Sequence, residues 1–158
     1  MKKVIISGGF DPIHVGHIKL IQEAKKLGDY LIVIVNNDNW LKTKKGYCFM
    51  NQNDRKVIIE SIKGVDEIIV TNHITNDTDT TVCDELFDIV VMSDDDGVTN
   101  DIIFANGGDR KSDNIPEYTF CTKNGIKMVF NVGGEKIESS SELVKKAKEC
   151  DNDEKKET

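Results

Sequence analysis

Val4-Ile5-Ile6-Ser7-Gly8-Gly9-Phe10-Asp11-Pro12-Ile13-His14-Val15-Gly16-His17 reads as a strand, a glycine-rich loop and the start of a helix. The apolar, β-branched opening has the character of a buried strand, and Ser7-Gly8-Gly9 turns the chain at its end. Asp11-Pro12 keeps the backbone extended, because the residue before a proline is steered away from helical geometry. A helix is predicted from near His14. Ile18, Ile21, Ala24 and Leu27 recur at helical spacing, and Gly28 is placed as its C-terminal stop.

The same alternation continues outward. Tyr30 to Val35 is an unbroken apolar run, the pattern of a parallel strand covered on both faces. Asn36 to Gly46 is expected to be a polar loop, Asn53 to Lys63 a helix through Val57, Ile58 and Ile62, and Val65 to Thr71 a third strand. Thr80 to Ser93 is read as a helix because Val82, Leu86, Ile89 and Val90 share a face. Asp94-Asp95-Asp96-Gly97 breaks it before a fourth strand, Asp101 to Ala105, which ends at Gly107-Gly108-Asp109. A helix over Pro116–Asn124 and a strand over Ile126–Val132 follow. Ser139-Ser140-Ser141-Glu142 matches a capping box, with Ser139 as N-cap and Glu142 at the third helical position. Residues 1–149 are thus one domain, and 150–158 a charged, disordered tail. The fold class is α/β, a Rossmann-like doubly wound parallel sheet of about five strands with helices on both faces, which holds ligands at the carboxyl ends of its strands.

Bulk properties narrow the partners. A chain of 158 residues with 38% apolar side chains has room for one stable core. Its net charge of −7 argues against binding to a nucleic-acid backbone or an anionic membrane, so any anion must be held locally. Cys48, Cys83, Cys121 and Cys150 form no C-x-x-C pair, and the sequence reads without a secretory leader or long apolar run, so a reducing cytoplasmic setting is expected. His73 near Cys83 is too little for a zinc site, and Asp94-Asp95-Asp96 reads as a loop; no protein-held metal is expected.

The first loop carries the chemistry. Where a strand gives way to a helix, backbone N–H groups and the positive end of the helix dipole face an anion. Gly8 and Gly9 allow close approach of the backbone, and Gly16 leaves space between two histidines. His14 and His17, three apart, share a face and can aim ring N–H donors at one phosphate chain. A solvent-facing pair at a helix start is the plainer reading, and the glycine-rich strand exit before it turns the balance toward function.

The segment resembles the H-x-G-H signature of the cytidylyltransferase-like nucleotidyltransferases, including the preceding glycine-phenylalanine-aspartate. The likeness extends to Asn39-Trp40-Leu41-Lys42-Thr43-Lys44-Lys45-Gly46, Arg55, Val65-Asp66-Glu67, Gly107-Gly108-Asp109 and Ser139-Ser140-Ser141-Glu142-Leu143. It is strongest to the glycerol-3-phosphate cytidylyltransferase and heptose-phosphate adenylyltransferase branches. The resemblance implies that His14, His17, Lys44 and Ser140 are catalytic. It also implies that Gly8, Gly9, Phe10, Asp11, Gly16, Lys42, Lys45, Arg55, Asp109, Ser139 and Ser141 bind the nucleotide, and that Arg110 binds the acceptor. Taken alone, the lysines are a solvated charge run, Ser139 to Ser141 a helix cap, Asp11-Pro12 a plain turn and Gly107-Gly108-Asp109 an ordinary turn. Asp11 either orients the loop or faces a magnesium-bound phosphate. Some relatives carry an arginine where this chain has Gly133-Gly134-Glu135-Lys136, and lysine lacks the two-pronged donor of arginine.

The implied reaction passes CMP from CTP to a phosphorylated polyol or sugar and releases pyrophosphate; ATP as donor to a sugar phosphate is the alternative. Such an acceptor, with a second pKa near ~6, is already largely a dianion at neutral pH and needs no general base. Mg²⁺ is expected to arrive with the triphosphate and keep much of its water shell. A homodimer is implied by the family. A regulator that binds nucleotide without turnover is a competing reading, and a fragment of a class I aminoacyl-tRNA synthetase is a remote one.

Overall fold

A computed structural model describes residues 1–95, 101–108, 115–134 and 139–156, except for the side chains of 94–95 and 152–156. Along the chain these form β1 (Lys2–Gly8), α1 (Val15–Lys25), β2 (Tyr30–Val35), α2 (Asp38–Lys45), α3 (Gln52–Glu60), β3 (Glu67–Val70), α4 (Cys83–Asp95), β4 (Asp101–Ala105), α5 (Tyr118–Lys123), β5 (Lys127–Val129) and α6 (Ser140–Lys156). The five strands make one parallel sheet in the order β3-β2-β1-β4-β5. Strand order reverses between β1 and β4, so the crevice beyond their carboxyl ends is the topological switch point.

Alternation along the central strands divides the core in two. Val4 and Ile6 of β1 and Val33 and Val35 of β2 pack with Ile21 and Ala24 of α1 and Ile59 of α3. Ile5, Ile32, Ile34 and Phe104 face the other way and pack with Leu86 and Ile89 of α4 and Cys121 of α5. Helices therefore cover both faces, as the unbroken apolar runs require.

Several elements differ from their sequence reading. The segment 36–46 is largely helical rather than loop. Leu41 is its one buried residue, so α2 leaves almost no apolar period to detect. Its caps hold it instead: Asn37 accepts the Trp40 N–H, and Gly46, at φ 83°, closes the end in the left-handed region. Gly28 does not cap α1, which ends at Lys25 with Lys26 as C-cap. A Cβ at Gly28 would lie 2.7 Å from the Lys2 carbonyl, so glycine is needed there for close approach to β1. The third and fifth strands and α5 are shorter than their apolar runs. Helix α4 continues to Asp95, placing the Asp96-Gly97 break outside the described residues. Helix α6 starts where the capping box puts it, with Leu143 N–H bonded to Ser139 O at 3.0 Å, and runs to Lys156, into the segment read as a tail. No described helix is long and apolar enough to cross a membrane.

Candidate active site

The histidine turn is built from its own backbone. His14 is the N-cap of α1; its Nδ1 accepts the Gly16 N–H at 3.1 Å, while His17 Nδ1 accepts the His14 N–H at 3.1 Å. This is a capping box made of two histidines, with His17 in the place usually taken by Glu or Gln. Both Nδ1 atoms are acceptors, so the proton of each neutral ring sits on Nε2, on the side away from the backbone. The rings stack at 3.8 Å between centroids, 26° from parallel. Phe10 meets His17 edge-on at 4.9 Å and is itself buried. Its φ of 52° is a costly conformation for a bulky residue, held here by packing under Gly8, where a Cβ would come 3.2 Å from the ring.

Asp11 and Arg55 act below the crevice, on the loops. The Asp11 carboxylate is fully buried and accepts the N–H of Phe49 at 2.7 Å and that of Met50. Both oxygens are engaged by backbone, so Asp11 orients the loop after α2. Arg55, which the resemblance implied for the nucleotide, is 1% exposed. Its Nε donates to Met50 O at 2.8 Å, its Nη1 to Gly9 O at 2.7 Å and to Asn36 O, and its Nη2 to Asp38 Oδ1 at 2.7 Å. The guanidinium thus clamps the ends of β1 and β2 and the start of α2 together, and removing one partner of such a buried pair costs about 3–5 kcal/mol.

Cys48 belongs to the same knot, with Sγ 3.2 Å from Asp38 Oδ1. Burial, then the hydrogen bond to Asp38, pushes its thiol up to about 11, so it is a protonated donor and not a nucleophile.

Other predicted residues gather around this loop. Ser140 is buried at the head of α6 and donates its hydroxyl to Pro12 O at 2.8 Å, seating that helix end against the first loop across 128 residues of chain. Ser139 has its Oγ 3.5 Å from Glu142 N, and Ser141 is exposed beside it. On the opposite side Gly9 passes under α2, where a Cβ would come 3.0 Å from Leu41. Lys42 and Lys44 are exposed at the last turn of α2 and Lys45 is half-buried, a placement that also suits the negative end of the helix dipole. Lys148 of α6 lies 5.3 Å from the Tyr47 ring, linking α6 to the loop that follows these lysines. The structure therefore brings the histidine turn, the α2 end and the α6 start to one edge of the sheet. Asp109, Arg110 and Lys136 lie outside the described residues.

Residues 5–147 match the family model described as Cytidylyltransferase-like. The chain belongs to the cytidylyltransferase-like family. This family membership makes it a nucleotidyltransferase, in keeping with the H-x-G-H reading. Over 95 residues, covering 60% of this chain and 73% of the relative, it is 41% identical to glycerol-3-phosphate cytidylyltransferase of Bacillus subtilis. It is 30% identical to FAD synthase of Methanobrevibacter smithii across 96% of this chain and 94% of that one. Among solved structures, a lipopolysaccharide core biosynthesis protein from Thermoplasma volcanium superposes with a TM-score of 0.60 at 28% identity, over 82% of this chain and 95% of that one.

Sequence reading passed over a buried polar set on the other face of the sheet. His73, 8% exposed, has Nδ1 2.8 Å from Thr71 Oγ1 and donates from Nε2 to Thr81 O at 3.0 Å. Asn37 Nδ2 and Asn39 Nδ2 each donate to the His73 carbonyl at 2.9 Å, tying α2 to the segment after β3. The one legible signal was polar residues directly after apolar strand runs, which mark the carboxyl edge.

Proposed function

We propose that this cytidylyltransferase-like protein transfers CMP from CTP to a phosphorylated polyol or sugar of the glycerol-3-phosphate kind. The observation that carries the reading is the double-histidine capping box. It commits both Nδ1 atoms to the turn and fixes both rings at a helix start, where anion binding is favoured. An oxygen of the acceptor phosphate attacks the α-phosphorus in line, a new P–O bond forms, the bond to the β-phosphate breaks, and pyrophosphate leaves. Negative charge gathers on phosphoryl oxygens in that transition state, so fixed donors contribute more than a base would.

His14 and His17 stabilise the reacting phosphate, Lys44 with Lys42 or Lys45 neutralises the triphosphate, and the α6 start supplies backbone amides and the Ser139 and Ser141 hydroxyls. Ser140 positions rather than donates, since its hydroxyl is bonded to Pro12 O. Mg²⁺ would be carried by the triphosphate, a fit consistent with Asp11 being used internally; when bound it supplies charge neutralisation on the phosphates.

ATP as donor is the second reading, favoured by the FAD synthase likeness over nearly the whole chain, FAD being an adenylyl compound. Pyrophosphate release from CTP and ATP across a panel of sugar, polyol and amino-alcohol phosphates tests both. Release from CTP with a polyol phosphate is expected. Tight nucleotide binding with no release from any acceptor would favour the non-catalytic regulator instead. The homodimer is tested by the mass in solution.

A further inference from the structure

The sheet face covered by α4 and α5 ends, at the carboxyl edge, in two buried acceptors that no group uses among the described residues. Asn36 continues the phase of Ile32 and Ile34 onto this face, and its N–H is bonded to Gly8 O at 2.9 Å. Its carbonyl is held by Arg55, so the backbone that aims the side chain is fixed on both sides. Glu117, directly before α5, accepts the Val82 N–H at the head of α4 through Oε1 at 3.1 Å. Both residues are more than nine-tenths buried, at 5% and 4% exposure. Yet Asn36 Oδ1 and Glu117 Oε2 have no hydrogen-bond partner among the described residues.

These two positions belong to one bonded framework. Asn37 N–H donates to Thr71 Oγ1 at 3.0 Å, Thr71 Oγ1 meets His73 Nδ1 at 2.8 Å, and His73 Nε2 donates to Thr81 O at 3.0 Å, one residue before the Val82 that Glu117 holds. A framework this well satisfied makes its two unfilled acceptors conspicuous, because a buried polar atom without a partner is costly in a native fold.

We propose that Asn36 and Glu117 are specificity residues for the acceptor substrate, selecting a phosphorylated polyol by accepting hydrogen bonds from its hydroxyl groups. The inference rests on the transferase reading above and names the feature of the acceptor that this crevice reads. An occupant must bring donors to both atoms. Phosphate oxygens bring none and are repelled by a carboxylate, so the position suits the hydroxyl-bearing part of a substrate. The nucleotide's ribose carries hydroxyls too, and acceptor selectivity measured with the nucleotide site filled separates the two. Glu117 already faces the positive head of α4, so it presents an acceptor whose charge is partly balanced, and hydroxyls suit it better than an ammonium group. Asn36 stands beside Gly8, at the start of the loop that carries the histidines, so a polyol held there has its phosphate end at the reacting site.

The test compares glycerol 3-phosphate and ribitol 5-phosphate with n-propyl phosphate, which lacks hydroxyls, and with phosphoethanolamine. Calorimetric binding to the full chain is measured in the presence of a non-hydrolysable CTP or ATP analogue, alongside pyrophosphate release. At least one polyol phosphate is expected to bind about 10- to 100-fold more tightly than n-propyl phosphate and phosphoethanolamine. Asn36→Leu should cut that preference to within about threefold, Glu117→Gln should reduce it about tenfold, and Asn36→Asp, which keeps the oxygen, should retain most of it. Circular dichroism checks that each variant folds, and the wild-type comparison stands without them. Equal affinity for all four compounds, or a preference for phosphoethanolamine, overturns the inference whether or not pyrophosphate appears. Selective polyol binding with no pyrophosphate from any pair overturns the catalytic reading alone.

Discussion

On the proposed reading the histidine turn and the lysine end of α2 serve the same phosphates, but they are held in opposite ways. His14 and His17 are fixed by two backbone hydrogen bonds, a ring stack and a buried Phe10. Lys42 and Lys44 project from an exposed helix end. A group that must meet charge developing on one phosphoryl oxygen gains from rigid placement, because no reorganisation is then needed at the moment of reaction. Lysines that gather a flexible triphosphate act as mobile point charges, screened by salt and tolerant of small displacement.

Removing the fixed pair should have the largest effect. His17→Ala is expected to lower kcat about 100- to 1,000-fold, as loss of a positioned transition-state donor does, with near-normal nucleotide affinity by calorimetry. His14→Ala should do the same and also cost about 1 kcal/mol of stability, since it deletes an N-cap; a melting curve separates the two consequences. Equal activity of both variants and the wild type would remove the contrast altogether.

Arg55→Met comes next. It should destabilise the chain by about 3–5 kcal/mol in chemical denaturation, because Asp38 and three carbonyls lose their donor. Activity should fall through misplacement of both loops, without the salt dependence of a direct phosphate contact. Lys44→Ala should raise KM for the nucleotide about tenfold with little change in kcat and none in Tm, and the loss should shrink as ionic strength rises. A kcat effect as large as that of His17→Ala would erase the distinction between placed and gathering groups.

The smallest effect concerns Glu85, whose pKa burial raises most of all. A carboxyl raised in the folded state contributes its full stability while it is protonated, below its unfolded value, and loses that contribution as pH rises through the folded value. Glu85→Gln should therefore raise Tm at pH 7 and leave it unchanged near pH 4. A gain of equal size at both pH values would mean that charge is not its cause.

How much was legible follows from the range of each interaction. The strands, α1, α4 and the capping box at Ser139 were readable because apolar period and cap chemistry act within a few residues. Helix α2 was missed because it buries only Leu41 and is held by its ends. The family signature named Asp11 and Arg55 but not what they hold: the partners of Asp11 lie at 49 and 50, and those of Arg55 at 9, 36, 38 and 50. Ser140 likewise reads as a catalytic residue until its hydroxyl is found donating to Pro12 O, 128 residues away.

The sequence by itself determined the α/β alternation, the family and the histidine pair, since hydrophobic period, glycine placement and a three-residue spacing are local properties of a chain. Only the tertiary structure decided which polar groups turn inward as clamps and which stand at the crevice. It alone left Asn36 Oδ1 and Glu117 Oε2 buried without partners among the described residues. Burial and hydrogen-bond satisfaction depend on what the rest of the fold brings alongside each atom, and no stretch of sequence contains that information.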